Sequence, residues 1–172
     1  MSGKKALIVI DMQNDYLWAD RKPKFSYDTE TLTENVNRTI HKYQLEGADV
    51  IYIGQVFPDI ITNRLIIGFS IKGTPGAELY SGLDVVSQLY FEKNLPDSFT
   101  AKRFREYMAR NNYSDIIVCG VDLCGCVGAT AEGALKTGAS VFLEESSTST
   151  RFSSRKAEKR REQLMKKGVK FI

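Results

Sequence analysis

The sequence predicts a single three-layer α/β domain built on a parallel sheet. Three observations carry that expectation: short continuous apolar runs recur along the chain, helical periodicity fills the stretches between them, and 172 residues suit one hydrophobic core. Continuous rather than alternating apolar runs indicate strands buried on both faces, and parallel strands need helices over both faces.

The first run, Ala6 to Ile10, ends at Asp11. Further runs are predicted at Asp49 to Ile53, Gln88 to Phe91, Asp115 to Val118, Ser140 to Leu143 and Val169 to Ile172, giving six strands. Between them, Leu32, Val36, Ile40, Tyr43 and Leu45 keep helical spacing up to Gly47, and Phe99, Phe104 and Met108 do so up to Asn111 and Asn112. Val127 to Lys136 reads as a helix ending at Gly138, and Ser153 to Lys167 as a charged final one. Residues 54–87 fit least well, because Gly68, Gly73, Pro75, Gly76 and Gly82 break any long period, and such an excursion is usually functional. With no repeat or linker, residues 1–172 form one domain.

Composition excludes several classes of function. No apolar run approaches the roughly 20 residues that span a bilayer, and the amino-terminal stretch lacks a cleavable leader pattern, so a cytoplasmic protein with no membrane partner is expected. The net charge of +3 hides a basic tail: residues 151–172 hold nine Lys or Arg against Glu158 and Glu162, leaving −4 for the rest. That tail alternates charge with Ala157, Leu164 and Met165, as a solvated helix does, and lacks the interleaved aromatics of a nucleic-acid surface. There is no G-x-x-x-x-G-K-[ST] or G-x-G-x-x-G phosphate loop. Cys119, Cys124 and Cys126 are too clustered to staple a fold and lack a fourth ligand of zinc-site spacing.

Ligands bind open parallel sheets outside the carboxyl ends of the strands. The polar residues there are Asp11, Gln55, Lys93, the segment Gly120 to Cys126, and Glu144 with Glu145. Cys126 follows a glycine turn and opens a helix, whose amino-terminal dipole favours a thiolate. A carboxylate at Asp11 to take the thiol proton and an ammonium at Lys93 to stabilise the charge would complete an activated nucleophile. Cys119, at the end of an apolar strand, is read as a small buried hydrophobe, and His41, the single histidine, as a helix-surface residue. Tyr16, Trp18, Phe25 and Phe57 fall beside strand ends, where they either line a pocket or pack as ordinary core; Asp15 is a helix-cap candidate.

The ordered residues Ile10 to Asp15, Lys72 to Glu78, Lys93 with Ser98-Phe99, Gly120-Val121, Cys126-Val127, Thr130-Ala131 and Gly138 resemble the isochorismatase-like cysteine hydrolases, which include nicotinamidases and N-carbamoylsarcosine amidohydrolases. The resemblance spans about residues 6–145. It implies a Rossmann-like, six-stranded, mainly parallel sheet of order 3-2-1-4-5-6 and a catalytic triad of Asp11, Lys93 and Cys126. It also implies a cis peptide between Val121 and Asp122, aiming the Asp122 and Cys126 N–H groups at one oxyanion. Tyr16, Trp18, Gln55 and Phe57 become substrate-binding candidates.

The sequence departs from the nicotinamidase pattern where those enzymes carry an Asp-x-His metal motif after the second strand, since Gln55 and Phe57 stand there instead. No metal and no cofactor are therefore expected. Leu123 and Cys124 stand where a threonine and an acidic residue are common. The implied activity is hydrolysis of a small-molecule amide or ureide, by a homodimer or homotetramer with the apolar stretch Ile60 to Phe69 as interface or lid. The alternatives are a non-catalytic binding protein on the same fold, or a nicotinamidase with an atypical metal site.

Overall fold

The computed structural model describes residues 3–172. Six strands form one parallel sheet: β1 (Lys5–Ile10), β2 (Asp49–Gln55), β3 (Tyr90–Lys93), β4 (Asp115–Val121), β5 (Ser140–Ser149) and β6 (Lys170–Phe171). Their order is β3-β2-β1-β4-β5-β6 and every pairing is parallel. The helices are α1 (Asn14–Leu17), α2 (Thr29–Leu45), α3 (Ile61–Ile66), α4 (Lys102–Asn111), α5 (Cys126–Leu135) and α6 (Ser154–Lys167).

The continuous apolar runs do what their pattern implies. In β1, Ala6, Ile8 and Ile10 join one core with Phe104, Val127, Ala131 and Leu164, while Leu7 and Val9 join the other with Leu32, Val36 and Ile40. The central strand thus buries both faces, and α2 lies on one side of the sheet while α4, α5 and α6 lie on the other. Helix ends are set by local chemistry: the Asp28 side chain accepts from Thr31 N–H at the start of α2, and Ser153 accepts from Lys156 N–H at the start of α6. Gly168, at a φ of 109°, closes α6 in the left-handed conformation that glycine adopts without penalty.

Several boundaries differ from the sequence expectation. β3 begins and ends two residues later than predicted, so Lys93 is its last residue, paired with Gln55 at the end of β2. β5 runs six residues beyond Leu143, because Gly120 and Val121 continue pairing with Thr148 and Ser149 past a register shift. Phe99 lies in a 3-10 turn (Ser98–Thr100) ahead of α4. Within residues 54–87 the structure adds α3 and a 3-10 turn at Pro75–Ala77; Leu65 and Ile66 of α3 are 80% and 82% exposed.

The basic tail folds as α6, where Arg160 and Lys167 pair with Glu132 of α5 at 2.6 and 2.7 Å and Arg161 with Glu145 of β5 at 2.8 Å. His41 is exposed on α2 and meets Asp84 at 2.8 Å. No helix among the described residues is long and apolar enough to cross a membrane.

Strand order reverses between β1 and β4, and their carboxyl ends sit side by side there. The approach depends on Gly120, whose φ is 109° and where a Cβ would stand 2.2 Å from the Ile10 carbonyl oxygen. Gly120→Ala is expected to destabilise the fold by about 3 kcal/mol or more in urea unfolding, because both backbone strain and overlap are imposed.

Candidate active site

Three strand ends bring the predicted triad together. Asp11 follows β1, Lys93 ends β3 and Cys126 opens α5 after β4. Lys93 Nζ donates to Asp11 Oδ2 at 2.9 Å and to Gln55 Oε1 at 2.7 Å, with the Lys93 and Asp11 side chains 0% and 3% exposed. Asp11 adopts a φ of 53°, left-handed for a non-glycine residue, a conformation that costs of order 1–3 kcal/mol and gathers at functional sites. Its backbone is held by the Asp11 N–H to the Ile53 carbonyl at 2.9 Å.

The ionisation of the three groups is shared. Burial pulls the Lys93 pKa down, but Asp11 and Cys126 outweigh it and leave the ammonium raised above its ordinary value. Burial pushes the Cys126 thiol up and Asp11 adds to that, against a smaller opposing pull from Lys93. The dipole at the start of α5 favours a thiolate, whereas desolvation and the Asp11 charge oppose it and raise the thiol above its ordinary value. Asp11 Oδ1 is buried without a hydrogen-bond partner, as is Gln55 Nε2.

The Val121–Asp122 peptide is cis, as the resemblance implies. Among the described residues, neither the Asp122 nor the Cys126 backbone N–H donates to a protein acceptor, although the neighbouring Leu123, Cys124, Gly125 and Val127 N–H groups all do. The turn is clamped by the Asp122 carboxylate. It accepts four hydrogen bonds: from the Cys124 N–H at 2.8 Å, the Thr150 hydroxyl at 2.6 Å, the Arg151 N–H at 2.9 Å and the Tyr27 hydroxyl at 3.0 Å. Leu123 offers no polar side chain and packs against the core, so the side-chain hydrogen bonds to this turn come from Asp122.

Above the triad lies a cavity of about 360 Å³ lined by Asp11, Gln55, Asp122, Cys126 and aromatic side chains. Tyr16 and Phe57 are on its wall as expected, whereas Trp18, half-buried just after α1, is not among its lining residues. Asp15 caps no helix; its carboxylate accepts the Ser70 N–H at 2.6 Å and ties α1 to the segment carrying Phe69. Gln13 fastens the same region: its amide bridges the Gln55 carbonyl at 2.9 Å and the Ala77 carbonyl at 2.7 Å and accepts the Gln55 N–H at 2.8 Å.

Sequence reasoning missed Tyr27, Phe69, Arg151 and Phe152, all of which line the cavity. Arg151 and Phe152 follow the true carboxyl end of β5, so the strand-end rule finds them once the polar run Glu144 to Ser149 is recognised as strand. Glu144 and Glu145 fall inside β5 and are not among the lining residues.

The family model described as Isochorismatase domain matches residues 5–171, nearly the whole chain. The chain belongs to the isochorismatase family. It is 25% identical over 134 residues to the isochorismatase family protein YddQ of Bacillus subtilis strain 168, covering 77% of this chain and 71% of that one. The pyrazinamidase of Pyrococcus horikoshii, solved in complex with zinc, is similar at a TM-score of 0.78 and 25% identity, covering 98% of each chain. N-carbamoylsarcosine amidase from Thermoplasma acidophilum matches at a TM-score of 0.80 and 20% identity, over 98% of this chain and 95% of that one.

The donor set here does not fit a zinc ion. Among the described residues no group of three or more His, Cys, Asp or Glu side chains is placed to hold a metal, and the Gln55 oxygen is committed to the Lys93 ammonium.

Removing Lys93 leaves a buried carboxylate unpaired, so Lys93→Met is expected to cost about 3–5 kcal/mol of stability in chemical denaturation. Because the folded Lys93 pKa is raised, that stabilisation is present in full below the ordinary lysine value of 10.5 and fades as pH rises past it.

Proposed function

We propose that this protein is a metal-independent amidohydrolase that cleaves the C–N bond of a small amide or ureide through a thioester on Cys126. The observation that carries this reading is the pair of unengaged N–H groups, on Asp122 and Cys126, beside a thiol whose neighbours are one carboxylate and one ammonium. A binding pocket has no need of two free backbone donors next to a nucleophile. Acyl transfer does, because the negative charge moves to the carbonyl oxygen as the tetrahedral species forms.

The steps follow from the groups present. As Cys126 Sγ attacks the carbonyl carbon, its proton passes to Asp11, and the oxyanion receives hydrogen bonds from the two N–H groups. On collapse the C–N bond breaks and Asp11 returns the proton to the leaving nitrogen, which departs as ammonia or an amine. Water then attacks the thioester, giving its proton to Asp11; the C–S bond breaks, the carboxylic acid leaves and the thiol is restored. Lys93 remains an ammonium throughout, holding Asp11 in place and offsetting whichever neighbour is negative.

The amidase relatives at similar fold support a carbon–nitrogen substrate bond, and the misfit of the donor set to zinc supports metal independence. Leu123 and Cys124 do not favour a non-catalytic role, since the Asp122 clamp holds the turn without the usual residues.

A screen of small amides and ureides tests the reading. Turnover is expected to survive exhaustive chelation and to fall by about 10⁴-fold or more in Cys126→Ala with the fold retained, as for loss of a nucleophile. Turnover unchanged in Cys126→Ala, or abolished by the chelator and restored by zinc, contradicts it.

A further inference from the structure

A second cavity, of about 580 Å³, opens between α4 and α5; it is larger than the catalytic one and shares no lining residue with it. The two helices lie on the same side of the sheet, but each packs against the 3-10 turn Ser98–Thr100 and hardly against the other, so a gap remains between them. Phe99 from the turn, Met108 from α4 and Ile116 from β4 give the gap an apolar floor, each of them buried. The rim is polar and exposed, with Arg105 on one side and Lys136 on the other. One wall exists because α5 has a glycine in its interior. A Cβ on Gly133 would stand 2.3 Å from Asp97 Oδ1, so the missing side chain is what lets the Asp97 carboxylate lie over the helix.

The charges around this gap do not balance. Two cations, Arg105 and Lys136, meet one carboxylate, Asp97. Burial raises the Asp97 pKa, and the Phe99 N–H and then the Lys136 charge pull it back, so the field of Lys136 is already spent on Asp97. Arg105 has no acidic counterpart: no carboxylate lies within ion-pair distance of it among the described residues. Its Nη1 donates to the Phe99 carbonyl at 2.9 Å and to the Thr100 carbonyl at 3.5 Å, which fixes the guanidinium by one corner. Nε and Nη2 donate to no acceptor among the described residues, and together they form the side-on edge that a carboxylate matches with two parallel hydrogen bonds.

We propose that this gap is a second ligand site, separate from the catalytic cavity, for a small monocarboxylate with an apolar body about the size of one ring. The acid pairs with the Nε and Nη2 edge of Arg105, and the body lies over Phe99, Met108 and Ile116. A single negative charge brings the rim to neutrality, and the volume falls within the range of about 300–1,000 Å³ usual for sites that take such molecules. The site depends on α4, α5 and the turn between them, and stands whether or not Cys126 is a nucleophile.

Amide NMR titration with 3-phenylpropionate, and with the neutral 3-phenylpropanol of the same skeleton, tests the site. The acid is expected to bind with a Kd of about 1 mM or tighter, at least about tenfold better than the alcohol, and the preference is expected to shrink as salt is raised. Shifts are expected to gather at Thr100, Ala109, Asn112 and Thr137 and not at Gly125 and Cys126. Arg105→Met removes the preference and Arg105→Lys keeps part of it. Because Arg105 also supports the turn, Ala109→Trp serves as a second variant that fills the gap from an exposed position on α4. It is expected to abolish binding of both probes and to leave the Cys126 alkylation rate as in the wild type. Equal binding of acid and alcohol, binding of neither, shifts centred on Cys126, a preference that survives Arg105→Met, or binding that survives Ala109→Trp overturns the proposal.

Discussion

One buried ammonium set between two groups that can each be an anion governs this site. Lys93 is fully enclosed and its charge is tolerable only with a partner at contact distance, which Asp11 supplies at 2.9 Å. With one positive charge present, one negative charge is neutralised in the resting protein, and a second would be buried unpaired. Burial and the Asp11 charge together hold the Cys126 thiol above its ordinary value, and the activation proposed above is a proton transfer from sulfur to carboxylate beside the Lys93 ammonium. In a desolvated site, moving a proton from sulfur to carboxylate changes the position of the negative charge and not its amount.

The scaffold exists to bring those three residues together. Parallel pairing places the ends of β1, β3 and β4 on one edge of the sheet, and the reversal of strand order beside β1 opens the crevice there. Fine positioning comes from side chains that satisfy backbone groups in irregular chain. Gln13 bridges the end of β2 to the Pro75–Ala77 turn, and Asp122 binds the nucleophile turn to the end of β5. Buried loops require such partners, because an unmatched backbone group costs about as much as a lost hydrogen bond. The same Asp122 carboxylate thereby holds both the turn before Cys126 and the backbone of Arg151, two residues that line one cavity.

The features legible in the sequence were those that follow from period and burial. Runs such as Ala6 to Ile10 announce strands covered on both faces, so the six elements of the sheet and the placement of Asp11 beyond β1 could be read directly. Cys126 was identified by position and by resemblance, yet its resting protonation could not be, because it depends on burial and on the distance to Asp11. The second half of β5 escaped notice for a related reason: Glu-Glu-Ser-Ser-Thr-Ser has no apolar run, and its pairing with Gly120 and Val121 is a tertiary fact. Arg151 escaped with it. Trp18, chosen for its place near a strand end, is half-buried and is not among the residues that line the cavity.

The central claim is that Asp11 and Cys126 share one counter-ion. The most direct measurement is the Cys126 thiol pKa, followed by ultraviolet thiolate absorbance and by alkylation rate against pH, in the wild type and in Asp11→Asn. Removing the Asp11 charge frees Lys93 to serve the sulfur, so the account predicts a thiol pKa above the ordinary 9.0 in the wild type and a marked fall in Asp11→Asn. A wild-type thiolate already formed near neutral pH, or a thiol pKa unmoved or raised by Asp11→Asn, would contradict it.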